Sequence, residues 1–349
     1  MSTLDRRVSS PPAASRNRTT RLTAILVALL GVLAVTAFLS VAIGSRDVTL
    51  ATMWAAIADF DPRSTSQTVI REMRLPRTLI GLLVGVALGL GGAMLQGATR
   101  NPLADPGIMG VNAGAAAVIV TGILLFGPMP LSVYVGLAFL GAGATTALVY
   151  LVAAFGREGA TPVKLALAGA AVSAGLYSVT SGVVMINVDA LNELRFWQVG
   201  SVAGRYWPVL AQTAPFLIVG VIAALLCGRL LNGLALGDDL AIALGQNVRR
   251  TRGALFVFVA VLCGAATAAC GPIAFVGLII PHVARAICGA DYRWILAFSA
   301  ALSPIALLVA DILGRVIAPP GEVQVGVVLG VIGAPAFIAL VRRRDLAEL

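Results

Sequence analysis

The chain has 349 residues, 59% of them hydrophobic and 12% charged, with a mean hydropathy of +0.95, a composition that excludes a water-soluble globular domain. Its net charge of +9 comes from basic residues scattered between apolar runs, with no aromatic-laced basic patch, so no nucleic-acid partner is expected. Cys227, Cys263, Cys270 and Cys288 sit in or beside apolar runs without metal-site or CxxC spacing and read as small packing residues; neither a metal nor a cofactor is expected.

A bilayer core of ~30 Å requires ~20 apolar residues per helix. Ten runs approach that length, near 22–43, 77–98, 111–127, 133–155, 165–186, 208–230, 253–270, 273–288, 294–314 and 324–341, the third and eighth being short. The expectation is an all-α, polytopic membrane protein of about ten transmembrane helices, whose 38 glycines let helices approach closely. Residues 1–21, rich in Arg, Ser, Thr and Pro, read as a disordered basic tail; the run that follows is longer than a signal-peptide core and reads as a retained first helix. A single membrane domain then covers 22–341, with a short tail at 342–349.

Ten spans place both termini on one side of the membrane. Arg6, Arg7, Arg16, Arg18 and Arg21 at one end, and Arg342, Arg343 and Arg344 at the other, assign that side to the cytoplasm. With this orientation 17 of the 25 basic residues fall inside. Five outside arginines run against the bias: Arg46, Arg63, Arg71, Arg74 and Arg77. Within the same connector, Leu50, Met53, Trp54, Ile57 and Phe60 have the spacing of a short amphipathic helix lying on the outer surface.

Further along, Gly81, Gly85 and Gly89 repeat at four and give the second span one smooth face for another backbone. Pro102 and Pro106 follow at once, making NPLADPG an irregular loop at or just inside membrane depth. Such backbone is tolerated there only where protein buries it or a water-filled path runs past it. The longest inside connector, 231–252, holds Leu234, Leu236, Leu240, Ile242 and Leu244, more leucine and isoleucine than a free loop requires, and Asp238 is placed to cap a short helix. His282, the only histidine, follows Pro281 and reads as a hydrogen-bonded packing residue. Asp311, the only carboxylate well inside a span, has Arg315 one turn away.

RLPR, a Gly-rich span and RNPLADPG resemble the FecCD-type permeases, which import iron-siderophores, haem and cobalamin. CGPIAFVGLIIPHVARAI with ADYRW, ADILGR and EVQVGVVLGVIGAP resembles that family's second half in order and spacing, and LALAGAAVS and FWQVGSVAG extend the match to nearly the whole chain after residue 45. The resemblance implies a type II ABC importer permease in the cell inner membrane. Two such subunits, in a homodimer or heterodimer surrounded by membrane lipid, would sit above two cytoplasmic ATPase subunits and receive cargo from a periplasmic or lipid-anchored substrate-binding protein. No GxxxxGK[ST] loop occurs in this chain, so the energy source must be another polypeptide and the chain itself is not an enzyme.

Carried over residue by residue, the resemblance assigns binding-protein docking to Arg74, Arg77 and Arg315, whose planar forks suit carboxylates. The competing reading is that Arg77 anchors a helix end in the headgroups and Arg315 pairs with Asp311. Asn101 and Leu103 are assigned to a cytoplasmic gate. Leu234, Leu236, Gly237, Asp238, Leu244 and Gly245 are assigned to an ATPase-coupling element of two short helices; against it stands a loop whose leucines dip into lipid. Two departures stand out: the family's second gate has no counterpart in GATPVK, and Gln324 replaces the usual Pro of E-x-P-x-G. A ferric siderophore is the expected cargo, with cobalamin or haem as alternatives. The rival of another class, an ATP-independent secondary transporter or channel, would be expected to place ionisable or unwound sites near the midplane.

Overall fold

The computed structural model describes residues 13–44, 48–155, 161–319 and 321–343. Helix α1 (Ala13–Ala42) begins nine residues before the apolar run. The tail read over residues 1–21 is therefore helical from Ala13, and residues 1–12 lie outside the described residues. Arginine is a good helix former, and Arg18 Nη2 donates to the Cys288 carbonyl at 2.9 Å, holding this extra length to the bundle. Next come α2 (Leu50–Ala58), α3 (Thr65–Thr68) and a π-helical turn (Val69–Arg74) that runs directly into α4 (Leu75–Thr99).

A 3₁₀ turn (Pro106–Met109) leads to α5 (Val111–Phe126), followed by α6 (Leu131–Ala154), α7 (Pro162–Ile186), α8 (Val188–Trp197) and α9 (Trp207–Leu226). Two short helices, α10 (Gly228–Ala235) and α11 (Asp238–Ala243), precede α12 (Val248–Cys270), α13 (Val276–Cys288), α14 (Tyr292–Ile317) and α15 (Val325–Arg343). Each of the ten apolar runs forms a helix, seven of them long and apolar enough to cross a membrane and three shorter, and no strand occurs among the described residues.

Caps explain where the helix edges depart from the apolar runs. The Thr161 hydroxyl accepts from Lys164 N–H and starts α7 early; the Asn247 side chain accepts from Arg250 N–H at 3.0 Å and starts α12 within its basic segment. Helix α13 begins late, because Gly271 and Phe275 both hold positive φ and keep GPIAF out of helical geometry. At 13 residues, or roughly 20 Å, α13 is too short to cross a bilayer core of ~30 Å alone.

Helix α4 is the hub, apolar around its whole circumference as a fully enclosed helix must be, with α14, α12, α13 and α9 packed about it. On its smooth face Gly85 lies against Pro304 of α14, so close that a Cβ would stand 2.5 Å from Pro304 Cα; at Gly92 a Cβ would strike the Gly277 carbonyl of α13. By contrast α1 lies outside α14 and turns Val27, Val32, Val35 and Phe38 outward, as a lipid-facing helix does. In the predicted amphipathic helix, α2, Met53 and Ala56 pack on Ile70, while Leu50, Trp54 and Ile57 stay exposed.

Gly85→Val is expected to lower the thermal midpoint of the detergent-solubilised protein, because overpacking against an immovable proline backbone costs ~1–3 kcal/mol. Gly143→Ala in α6, with open space around it, is the control. Equal midpoints for the two variants would refute the close α4–α14 contact.

Candidate functional site

Two charge clusters lie at opposite ends of α4. At its N-terminal end the carboxylate of Asp311, 2% exposed, is shared by two guanidinium groups. Arg77 reaches it through Nε at 3.2 Å and Nη2 at 2.6 Å, and Arg315 through Nη2 at 2.7 Å. Arg315 also donates to the Ser40 and Ile43 carbonyls at 2.8 and 2.6 Å and to Ser40 Oγ at 3.0 Å. Arg74, presented by the π turn, donates to the carbonyls of Val41 and Ala42 at 3.0 and 2.7 Å.

These carbonyls are the orphan acceptors at the C-terminal end of α1, the negative end of its dipole, and two cations satisfy them. Gly44 leaves room there for the Arg74 guanidinium, which a Cβ would push aside. Arg77 Nη1 then reaches outward to Glu322 at 2.8 Å. Arg74, Arg77, Arg315 and Glu322 line one cavity of about 310 Å³ together with Gly204 and Tyr206.

The three arginines predicted from RLPR and ADILGR therefore do converge, but not as three exposed forks. Arg74 and Arg315 are buried at 6% and 4% exposure, and Arg77, with a side chain 14% exposed and tied to the more open Glu322, is the least covered of the three. The pairing of Arg315 with Asp311 one turn away is present as well. Sequence reasoning missed Ser40 and Glu322, whose partners are 275 and 245 residues away. It also missed the π turn, for which no residue pattern gives notice.

At the opposite end, α10 and α11 form the predicted pair of short helices. Leu236, Leu240, Ile242 and Leu244 are 56–70% exposed, whereas Leu234 has no exposure and belongs to the bundle's own core. Asp238 does not cap α11; that position is Gly237, at φ +105°, and Gly245 closes the segment at φ +82°. Asp238 is instead the first residue of α11, where its charge suits the dipole. Arg252 of α12 grips it with both Nη atoms at 3.0 and 2.9 Å, while its Nε donates to the Ala98 carbonyl of α4 at 3.2 Å.

Arg100, in left-handed geometry just after α4, adds a second ion pair to Asp238 at 3.2 Å. Asn232 of α10 ties the elbow to α14 through Asp291 Oδ1 and Tyr292 N–H, both at 2.7 Å. The hydrogen bond from Arg293, reinforced by Asn232, holds the Asp291 carboxyl down at about 2. A depressed carboxylate contributes stability above its ordinary range and loses it as pH falls through the folded value, so this tie persists throughout the neutral and mildly acidic range.

Asn101 and Leu103 follow Arg100 directly. Asn101 Oδ1 accepts from Leu103 N–H at 2.9 Å, and Leu103 is 41% exposed. The candidate gate thus begins one residue from the elbow's ion pair. Beyond it the loop turns back into protein: Asp105 caps the 3₁₀ turn and Ala104 and Met109 are buried. Among the described residues no group of His, Cys, Asp or Glu is arranged to hold a metal, and all four cysteines are buried and unpaired.

A model of the FecCD transport family matches residues 32–343. The chain is 46% identical over 317 residues to the ferric enterobactin transport system permease protein FepD of Escherichia coli (strain K12), covering 90% of this chain and 94% of that protein. It is 41% identical over 319 residues to the iron(3+)-hydroxamate import system permease protein FhuB of Bacillus subtilis (strain 168), covering 91% and 83%. Among solved structures, a metal-chelate type ABC transporter in an inward-facing conformation superposes with a TM-score of 0.82 at 30% identity, over 92% of this chain and all of that one.

Asp311→Ala is expected to cost ~3–5 kcal/mol, because it leaves two buried guanidinium groups facing each other without their counter-ion. The measurement is thermal unfolding in detergent, and a variant as stable as the parent would remove Asp311 from its central position.

Proposed function

The chain belongs to the FecCD transport family, and from that premise we propose that it is the membrane-spanning permease of an ATP-driven importer, passing a ferric siderophore from a substrate-binding protein to the cytoplasm. The Arg77 end is the outer face and the α10–α11 elbow the inner one, so both termini lie in the cytoplasm. The observation that carries this reading is the elbow. Four large apolar side chains project from two short helices and the residues that end them, a unit clamped by Asp238–Arg252 and Asn232–Asp291 to α4, α12 and α14. A rigid apolar projection of this kind fits a groove on a separate ATPase subunit, of which an importer carries two copies.

At the other face, Arg77 offers a guanidinium to carboxylates of the binding protein, in exchange for or beside Glu322. Arg74 and Arg315 are the struts that hold the rim to α1. Movement of the elbow reaches Asn101 and Leu103 through Arg100, and α4 carries it towards the rim as a rigid rod. Helix α7 supports a second permease subunit, identical or homologous. Although it lies in the middle of the chain, its Ala170, Ala174, Ser178 and Gly182 face outward, and Gly175 and Gly182 have nothing within reach of a Cβ. Such a face, small and hydroxyl-bearing, suits a path or a close helix partner better than lipid.

In proteoliposomes holding the full complex, uptake of ferric siderophore is expected to require both ATP and the binding protein; uptake by this chain alone would overturn the importer reading. Arg77→Glu should weaken binding-protein docking roughly tenfold or more by placing like charges together, leaving membrane insertion intact. Arg252→Ala should retain the ATPase on copurification yet lose most uptake per ATP hydrolysed. Full coupling in that variant would exclude the clamp from force transmission.

A further inference from the structure

A second cavity, of about 290 Å³, adjoins the one that contains Arg77, with Gly204 lining both. Arg205 and Gln324 line it, with Trp197, Ser201 and Tyr134 around them. The volume is near the lower edge of ligand-sized pockets, which run roughly 300–1,000 Å³, and is fitted to one arm of a chelate rather than the whole.

The state of the two polar side chains is unlike that of any arginine in the neighbouring cluster. Arg205 Nε is sealed from solvent without a hydrogen-bond partner, and among the described residues Arg205 makes no ion pair. Glu193 lines the same cavity but is exposed and lies beyond ion-pair distance of Arg205. The Gln324 side chain likewise has no hydrogen bond to the protein among the described residues; only its backbone carbonyl is used, at the start of α15. Helix α9 begins two residues after Arg205 and its cap Tyr206 makes no side-chain cap bond, so the positive end of that helix adds to the local charge. Burial acts against the charged form of Arg205 with no carboxylate to offset it.

A guanidinium kept largely out of water without a partner is costly, and an oxyanion supplied from outside would relieve the cost. We infer that Arg205 and Gln324 form an oxyanion subsite for one anionic arm of the ferric chelate, giving this permease a preference for negatively charged chelates over uncharged ones. The inference rests on the importer reading above and adds a specificity determinant to it.

The test uses cells whose only chelate permease is this chain, with its own ATPase and binding protein. The probes are two radio-iron chelates, a trianionic tris-catecholate and an uncharged trihydroxamate. The unaltered chain is expected to take up the anionic chelate faster. Arg205→Gln should lower the anionic-to-uncharged uptake ratio roughly tenfold, the scale of one charge-assisted hydrogen bond, and Arg205→Lys should restore most of it. Gln324→Leu, which leaves the arginine in place, should lower the ratio by a smaller factor and decides the matter if Arg205→Gln does not reach the membrane. A ratio unaltered by Arg205→Gln and Gln324→Leu, or a Lys variant as poor as the Gln variant, overturns the subsite while ferric uptake by the parent leaves the importer reading standing. Uptake of neither chelate by the parent removes both.

Discussion

Everything distinctive in this molecule depends on how closely α4 can lie against α14. A helix pair separated by leucines would keep its axes well apart; here Gly81, Gly85 and Gly89 bring one backbone onto Leu308, Pro304 and Ser303 of the other. Only at that spacing can Arg77 of α4 and Arg315 of α14 share the single carboxylate of Asp311. The ion cluster is thus a product of backbone packing as much as of charge. In an apolar medium, where burial supplies no hydrophobic drive between helices, such packing and a few buried polar bonds hold the bundle together.

The same helix joins the two charge clusters at opposite ends of the bundle. Its N-terminal end is fixed by the Asp311 cluster and its C-terminal end by Arg252 and Arg100 on Asp238. Enclosed all round between these points, α4 has little freedom to bend, so in the proposed importer a displacement at one clamp would be carried to the other. A helix facing lipid on one side, as α1 does, would dissipate part of such a displacement.

Much of this was legible in the residues, and what was not has definite causes. Ten helices could be read because each run is apolar over enough residues, and the glycine repeat announced a close contact on α4. RLPR and ADILGR announced that the arginines matter, but the pattern was silent about burial: whether Arg74 faces a partner or the end of α1 depends on a π turn and on carbonyls more than thirty residues upstream. Leu234 illustrates the same limit at the elbow. It shares its residue type with Leu236 and Leu244, yet the turn of α10 points it inward, and spacing within an eight-residue helix is too short a signal to tell them apart. Asp238 looked like a cap because Asp so often is one; the positive φ of Gly237 moved the cap one residue earlier.

The π turn at Val69–Arg74 differs from an α-helix by one residue in its hydrogen-bonding ring. It thereby absorbs one extra residue with little change of phase, and removing a residue from this stretch would return it to ordinary helical winding while leaving α3 near its present direction relative to α4. What would change is the placement of Arg74, which the turn presents to the carbonyls ending α1, and of Ile70, on which Met53 and Ala56 of α2 pack. The added residue thus serves to moor the two outer helices to the bundle, and its loss would loosen them without turning them.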